Sequence, residues 1–309
     1  ANGANSYFKY CIVKNILGTF ISNQRESYTS IEKSTFNDNT ALQGLDFKVL
    51  STTWPTNHDI IYSNFIENIS FSLKYEYNRF TYNNFINNFG GASASTGIAT
   101  GPIKYKPSTA DTDTFGFNNV FSNTFNDIGV QSLSMTPTGS GDVTISEENY
   151  FGSSNEETVD DSILDFFDNG GLGIMYVNIA TQPSELTNGI VWKILVNNKD
   201  AQDEYTLMDP VGVGPHEFKV YFNRAMNTTI DPQIFYGVVF PYTQNLIDEE
   251  GTWSEDGKIY TVTHDVNIGT ADGINRIRVQ SAMDLDNFYI PIEDSRFNML
   301  VQSAGSASL

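Results

Sequence analysis

The stretch Phe80-Thr-Tyr-Asn-Asn-Phe-Ile-Asn-Asn88 decides the fold, because its pattern recurs through the first half of the chain. Apolar and polar residues alternate within it, as they do in a strand with one buried face. The pattern recurs in residues 8–15, 31–39, 60–68, 115–123 and, more weakly, 143–152. A strand of this length is not stable alone, so the recurrence indicates strands that stack on one another.

The repeats have a common anchor. In all but the last, a bulky apolar residue precedes the terminal asparagine by three positions, and Tyr150 takes that position in the last. These anchors are Ile12, Phe36, Phe65, Phe85, Val120 and Tyr150, at intervals of 24, 29, 20, 35 and 30 residues. Such intervals suit one turn of a three-sided coil, with loop insertions in the longer ones. We therefore expect the anchors to form a continuous core. The terminal asparagines are expected to hydrogen-bond one another and to adopt the left-handed bend at a corner.

The alternative for this half is an antiparallel sandwich, but Asn-Gly and Asp-Gly hairpin turns are largely missing between the repeats. The stretch from Gly90 to Thr114 is rich in Gly, Ala, Ser and Thr, which predicts a long loop projecting from one coil.

The repeats resemble the right-handed parallel β-helix superfamily, which includes pectate lyases, over roughly residues 5–178. Residues 148–168 are similar to the closing segment of such helices. Within them, Val159, Ile163 and Phe166-Phe167 are spaced so that a short helix covers the last coil. The resemblance implies an all-β first domain, residues 1–178, of right-handed coils with a closing cap.

A different pattern begins near Pro183. Strands are predicted at residues 190–196, 217–222, 234–240, 258–263, 275–279 and 296–301, with turns such as Asp256-Gly257 between them. Short alternating strands at this spacing predict an Ig-like β-sandwich over residues 183–309. Residues 218–227, 251–260 and 277–287 resemble the bacterial Ig-like modules of surface-layer and adhesin proteins. That resemblance implies a spacer that occasionally binds a partner, with Trp253 as a packing residue.

The net charge and the composition restrict the classes of partner that the chain is expected to bind. The net charge of −20 argues against nucleic acid, whose phosphates require clustered Lys and Arg, and against anionic membranes. The sequence contains no run of about 18 apolar residues, so it predicts no membrane-spanning helix. The single cysteine, Cys11, cannot form an internal disulfide and is expected to be a small buried hydrophobe. The chain begins at Ala1 without a signal peptide or a cap, so we expect a mature or excised portion of a longer extracellular or cell-surface protein.

Two sets of residues are candidate binding sites. Aromatic residues near predicted loops suit stacking against sugar rings, although packing is the competing interpretation. They are Trp54, Tyr75, Tyr77 and Tyr105. An acidic cluster offers oxygen ligands for calcium, although helix N-terminal capping and solvation also explain it. It consists of Asp160, Asp161, Asp165 and Asp168.

The sequence patterns that would indicate a catalytic site are weaker than those of the two candidate binding sites. A β-helix lyase needs carboxylates and a basic residue on one sheet face, but Arg25, Arg79, Lys33, Lys48 and Lys74 lie at dissimilar positions relative to the terminal asparagines. Glycoside hydrolysis needs paired carboxylates. The candidates are Asp46, Asp59, Glu67 and Glu76, whose pairing the sequence leaves open. The histidines His58, His216 and His264 are scattered, so a histidine-based metal site or triad is not expected.

The leading hypothesis is a non-catalytic surface or adhesion segment with a rigid β-helix, which binds a polysaccharide or cell-surface glycan. The first alternative is the C-terminal part of a polysaccharide lyase or glycoside hydrolase. The second is a structural subunit that assembles into a surface layer or filament. Further domains of the same chain or identical subunits are then its partners.

Overall fold

The computed structural model is nearly all β in the part of the chain that it describes. It describes residues 6–14, 21–23, 29–37, 39, 45–47, 58–66, 68–71, 73–76, 78–90, 103–106, 114–122, 124–125, 133–135, 144–161, 163–164, 174–202 and 210–303. The chain divides into two compact units, Ala1–Asn188 and Gly189–Leu309. The all-β prediction is confirmed.

The first unit contains 21 strands and one short helix among its described residues. The strands are β1 (Ser6–Lys9), β2 (Ile12–Lys14), β3 (Ile21–Asn23), β4 (Thr29–Glu32), β5 (Thr35–Asn37), β6 (Leu45–Phe47), β7 (His58–Ile61), β8 (Asn64–Ile66), β9 (Ile69–Phe71), β10 (Leu73–Glu76), β11 (Asn78–Thr81), β12 (Asn84–Ile86), β13 (Phe89–Gly90), β14 (Ile103–Lys106), β15 (Thr114–Gly116), β16 (Asn119–Phe121), β17 (Thr124–Phe125), β18 (Leu133–Met135), β19 (Thr144–Glu147), β20 (Ile163–Leu164) and β21 (Ile174–Val177). The helix is α1 (Glu156–Asp161).

These strands form four sheets in which every described pair is parallel and neighbouring strands come from successive coils. Sheet A has the order β1-β4-β7-β11-β15-β19-β21, sheet B β16-β12-β8-β5-β2, sheet C β17-β13-β9 and sheet D β20-β18-β14-β10-β6-β3. The chain therefore winds as a parallel β-helix. The hand of the coil stays a prediction.

The strand register corrects two anchors. Val13, not Ile12, is paired with Phe36, and Ile12 is 73% exposed. In the last repeat Tyr150 bridges to Asn119, so the next residue, Phe151, takes the core position beside Val120. Equivalent residues in successive coils are therefore 23, 29, 20, 35 and 31 positions apart. Both errors arose where two apolar residues are adjacent, because period-two alternation cannot then tell which one faces inward.

The core of the coils is a stack of aromatic rings. Phe36, Phe65 and Phe85 are fully buried, and each ring lies 5.0 Å from the next, centroid to centroid. The rings are nearly parallel, at 5° and 12°. Val120 continues this column in the next coil. The predicted column of anchors is thus confirmed at these positions.

Among the described residues, three ladders of buried polar side chains link successive coils. The predicted ladder of terminal asparagines is confirmed: Asn39 Nδ2 donates to Asn68 Oδ1 (2.9 Å), and Asn68 Nδ2 donates to Asn88 Oδ1 (2.8 Å). The left-handed bend falls one residue earlier than predicted, at Asn87 and Ser122, which have φ of 52° and 57°. At these two positions the residue before the terminal asparagine therefore makes the turn, and Asn88 itself bonds along the axis.

The other two ladders lie at the corner between sheets A and B. In one, a backbone N–H in each coil donates to a side-chain oxygen in the next coil. The acceptors in order are Ser34, Ser63, Asn83, Asn118 and Asn149. In the other, Asn84 Nδ2 donates to Asn64 Oδ1 (2.7 Å) and Asn119 Nδ2 donates to Asn84 Oδ1 (2.8 Å). These bonds tie neighbouring coils through side chains as well as through the sheets.

Residues 184–188 return along sheet B and complete the last of these ladders. Ser184 N donates to Asn119 Oδ1 (2.7 Å), Asn119 Nδ2 donates to Thr187 Oγ1 (2.9 Å), and Asn84 Nδ2 donates to the carbonyl of Asn188 (3.1 Å). The amides of this ladder are therefore covered, and Asn64, Asn84 and Asn119 are fully buried.

The predicted cap is only partly correct. Asn155 caps α1, since its Oδ1 accepts the Thr158 N–H (3.0 Å), and Val159 is fully buried as expected. Ile163, however, lies in β20, which pairs with β18, and β21 then pairs with β19. The coils therefore continue past the helix. Phe166 and Phe167 lie outside the described residues.

The projecting-loop prediction also needs correction. Residues 103–106, inside the stretch assigned to a long loop, form β14 and pair with β10 and β18. Ile103 is paired with Leu73. Alternation over only four residues, among many Gly, Ser and Thr residues, was too short a signal to be recognised.

The second unit has two antiparallel sheets. Its strands are β22 (Val191–Val196), β23 (Lys199–Asp200), β24 (Gly214–Phe222), β25 (Gln233–Gly237), β26 (Asn245–Ile247), β27 (Thr252–Trp253), β28 (Ile259–Val266), β29 (Gly273–Gln280) and β30 (Asn298–Val301). Sheet E has the order β23-β22-β24-β28-β27, and sheet F β26-β25-β29-β30. Without the two-residue β23, this is the strand order of an Ig-like sandwich with four strands in each sheet.

Both sheets of the sandwich contribute to one core. Phe218 and Val220 of sheet E and Tyr236 and Ile277 of sheet F are fully buried in it. Trp253 packs against this core as predicted, with its ring 5.5 Å from that of Phe222, and its Nε1–H donates to Asp231 (2.8 Å). No described helix has the length and apolar character needed to cross a membrane.

Candidate functional sites

The predicted sugar-binding residues fall partly outside the described chain. Trp54 and Tyr77 lie there, whereas Tyr75 and Tyr105 lie in β10 and β14 and are register partners in sheet D. Residues two apart along a strand share a sheet face, so these tyrosines occupy the face that also carries Leu73 and Ile103. Their proposed contact with sugar stays a prediction.

The opposite face of sheet D carries a row of charged positions. Asp46, Lys74 and Lys104 are register partners in three successive strands, and Glu76 is paired with Lys106 two positions further along. The sequence placed Lys74 and four other basic residues of the coils at dissimilar positions relative to the terminal asparagines, and that interpretation stays a prediction. Lys104 and Lys106 were outside that comparison, because they lie in the stretch that was assigned to a loop.

An aromatic column lies at the corner between sheets A and B. The rings of Tyr62, Tyr82 and Phe117 stack with centroids 4.9 and 5.4 Å apart, at 9° and 21°. All three residues have positive φ, which turns the chain at this corner. Because the rings cover one another's faces, and a sugar stacks on an open face, this column is a packing feature.

The predicted acidic cluster is described only in part. Asp160 and Asp161 are in the last turn of α1, Asp160 is exposed, and Asp165 and Asp168 lie outside the described residues. Helix N-terminal capping does not explain Asp160 and Asp161, because Asn155 fills that role at the other end of the helix. Calcium binding at this cluster stays a prediction.

A cluster that the sequence did not suggest lies in the sandwich. Asp248 and Glu249 directly follow β26 of sheet F, and His264 lies in β28 of sheet E. One donor atom from each residue lies within 4.8 Å of the others. His264 is 6% exposed and Glu249 is 36% exposed, so the cluster opens to solvent on its carboxylate side.

Both nitrogens of His264 have partners. Nδ1 lies 2.7 Å from Glu249 Oε2, and Nε2 lies 2.9 Å from the hydroxyl of Tyr236. A carboxylate only accepts, so Nδ1–H donates to Glu249, and in the neutral ring the Tyr236 hydroxyl donates to Nε2. Tyr236 is fully buried, so the chain of hydrogen bonds runs from the core of the sandwich to its surface.

This chain of contacts shifts two pKa values. Burial raises the pKa of Tyr236, the Thr270 hydroxyl beside it lowers that pKa, and the charge of Glu249 raises it further, so it lies above its ordinary value. Burial also raises the pKa of Glu249, but hydrogen bonds from His264 and from backbone amides, including that of Asp265, outweigh it. Glu249 therefore has a pKa below its ordinary value.

The position of His264 in β28 explains its burial. Along this strand Tyr260, Val262, His264 and Val266 face inward and are buried, and the residues between them are more exposed. A polar side chain in such a row requires partners. The signal in the sequence was a histidine at an inward position of an alternating strand, but its partners 15 and 28 residues away could not be identified from spacing.

The other histidines have different surroundings. His216 lies directly opposite His264 in the β24–β28 pair, and its ring nitrogens contact Asn197 (2.9 Å) and the carbonyl of Gly212 (2.9 Å). His58 lies in β7. Among the described residues, His264 is the histidine that the structure brings together with carboxylates in a group able to hold a metal ion.

Comparison with known proteins adds no family. No protein-family model matches the chain, and no curated protein matches it. The proposals on its function therefore depend on its own residues and their geometry.

Proposed function

We propose that the chain is a non-catalytic segment of an extracellular surface or adhesion protein, and that its β-helix binds a linear glycan along sheet D. The observation that carries this proposal is the in-register row of Asp46, Lys74 and Lys104, with the Glu76–Lys106 pair beside it. Adhesion, location and the glycan partner are all part of the proposal.

The row suits a linear polymer for a geometric reason. Strands in a sheet are ~4.8 Å apart, so a parallel in-register stack repeats each side-chain position at that interval along the axis. A chain of sugars lying along the sheet meets an equivalent position in every coil. Lysine donates up to three hydrogen bonds and carboxylates accept them, which suits sugar hydroxyls and, at Lys74 and Lys104, the carboxylates of acidic sugars.

The ladders support the role of a rigid rod. Asn68, Asn84 and Asn118 are fully buried and bond to equivalent side chains in a neighbouring coil. Bending the rod would break these bonds inside a low-dielectric interior, where a lost hydrogen bond costs most. The resemblance of the repeats to right-handed β-helices, and of the sandwich to modules of surface-layer and adhesin proteins, supports a spacer role for the second unit.

The test is retention of the purified chain on an array of neutral and acidic polysaccharides, with and without calcium, followed by analysis of soluble sugar products. The variant Lys74→Ala/Lys104→Ala is compared with Lys193→Ala/Lys199→Ala. The control removes the same two positive charges from the second unit. We expect saturable retention that the first variant weakens at least about tenfold, or ~1.4 kcal/mol, and that the control leaves unchanged.

The other outcomes contradict the proposal in different ways. Release of reducing or unsaturated sugar indicates a polysaccharide-degrading enzyme and directs attention to Asp46 and Glu76. Concentration-dependent filaments without glycan retention indicate a structural subunit. Equal loss of retention in both double variants indicates a general charge effect and removes sheet D as the binding face.

A further inference from the structure

We infer that Asp248, Glu249 and His264 bind a transition-metal ion of the zinc class, which joins the two sheets of the sandwich. The donor set identifies the class of metal. Calcium and magnesium take oxygen ligands, whereas an imidazole nitrogen together with carboxylates suits Zn²⁺ and its neighbours in the first transition row. The site is independent of the proposed glycan-binding face.

The distances are compatible with one ion. Ligand bonds to zinc are ~2.1 Å long, so two ligands of the same ion are at most about 4.2 Å apart. The donor atoms here lie within 4.8 Å of one another. Asp248 and Glu249 are at the solvent side of the cluster, and rotation of their exposed side chains closes the remaining few tenths of an ångström. Water completes the coordination.

The surroundings of His264 provide the second observation. A metal-binding histidine normally uses its other nitrogen to hydrogen-bond a neighbouring group, which fixes the ring. Nε2 of His264 already has such a neighbour in the buried hydroxyl of Tyr236 at 2.9 Å. When a metal takes Nδ1, the proton moves to Nε2, which then donates to the Tyr236 oxygen.

Thr270 accommodates this reversal. Its buried hydroxyl lies beside the hydroxyl of Tyr236, and either group can donate to the other. Once Nε2–H donates to Tyr236, the tyrosine proton is free to turn towards Thr270. Both hydroxyls therefore keep a possible partner when the metal is bound.

The ion would secure an edge of the sandwich. Strand β26 is three residues long, and among the described strands it pairs only with β25, at the edge of sheet F. The two carboxylates follow it directly. His264 belongs to sheet E. A metal shared by these residues links the edge of one sheet to an inner strand of the other.

Titration calorimetry of the full chain with Zn²⁺, in excess calcium to occupy oxygen-only sites, tests the inference, and Co²⁺ absorption reports nitrogen ligation. We expect one ion per chain, no binding at this site in His264→Gln, and at least about tenfold weaker binding in Asp248→Asn and Glu249→Gln. Tyr236→Phe is a positioning variant and should weaken binding about 10- to 100-fold while keeping the Co²⁺ spectrum. His216→Gln is the matched control, because it removes the opposite histidine, and should bind normally.

The inference is overturned if Zn²⁺ fails to bind, or if His264→Gln binds as the unaltered chain does. It is equally overturned if excess calcium displaces the ion completely. Should His264→Gln fail to fold, the exposed substitutions Asp248→Asn and Glu249→Gln decide the matter, since neither removes a fully buried group. Failure of this test leaves the glycan proposal unaffected, because the two sites lie in different units.

Discussion

Replacing Asn68 by alanine tests whether the asparagine ladder holds the coils together. Its Oδ1 accepts from Asn39 Nδ2 (2.9 Å) and from the Asn39 backbone N–H (3.3 Å). Its Nδ2 donates to Asn88 Oδ1 (2.8 Å) and to the carbonyl of Phe36 (3.1 Å). The substitution removes all four bonds and leaves the backbone N–H of residue 68 bonded to Asn88.

The expected loss follows from these four bonds. A buried hydrogen bond contributes about 1 kcal/mol net, so Asn68→Ala should lower the free energy of unfolding of the first unit by about 4 kcal/mol. Asn68→Asp keeps the shape and the acceptor but loses both donated bonds and buries a charge, so it should be at least as harmful. Asn155→Ala is the control, because it removes an exposed cap at α1 and should cost only about 1 kcal/mol.

Urea unfolding followed by hydrogen exchange and mass spectrometry separates the two units, since peptides from the sandwich report the second unit in the same sample. Protection should fall in β5, β8 and β12, which directly precede the ladder asparagines, and stay constant in β24 and β28. A loss of less than about 1 kcal/mol in Asn68→Ala, equal to that of the exposed control, would show that the ladder accompanies the fold without stabilising it.

Three further predictions concern the sandwich. The Arg296–Glu293 pair is 2.6 Å long with side chains 4% and 7% exposed, so Glu293→Ala should cost about 3–5 kcal/mol in urea unfolding, because it strands a buried charge. The double variant Glu293→Leu/Arg296→Met should recover much of that loss, and a double variant as unstable as the single one contradicts the reasoning. The Ser254 hydroxyl and the Lys258 amide lower the pKa of exposed Asp256. The carboxylate of Asp256 should therefore stabilise the folded chain slightly at a pH above its unfolded-state pKa. This stabilisation should vanish as the pH falls through its folded-state pKa. Unfolding of Asp256→Asn measured between neutral pH and about pH 2 checks this, and a constant difference from the unaltered chain refutes it.

The repeats allowed much of the first unit to be predicted. A position that recurs in several coils is visible as a pattern, and for that reason the Phe36–Phe65–Phe85 column and the Asn39–Asn68–Asn88 ladder were both anticipated. The predicted strand register was wrong where two apolar residues are adjacent, as at Ile12-Val13 and Tyr150-Phe151. Strand β14 was not predicted, because it is short and flanked by small residues.

The ladder of Asn64, Asn84 and Asn119 shows a different limit. The three asparagines recur in the repeats, but the groups that cover them, Thr187 and Asn188, come from a segment that follows the last coil. Nothing in the repeat indicates that these amides are buried. Their environment is decided by a return of the chain that has no counterpart in earlier coils.

The proposed metal-binding cluster of Asp248, Glu249 and His264 could not be predicted from a repeat, because each of its residues occurs once. His264 comes from one sheet, Tyr236 and the two carboxylates from strands or turns of the other, and no spacing rule connects them. A buried histidine in an alternating strand indicates only that partners must exist. Which partners they are depends on how two sheets face each other. His264 is therefore a candidate ligand only because the two sheets of the sandwich bring distant residues together. The zinc titration tests whether His264 and its neighbours bind a metal ion.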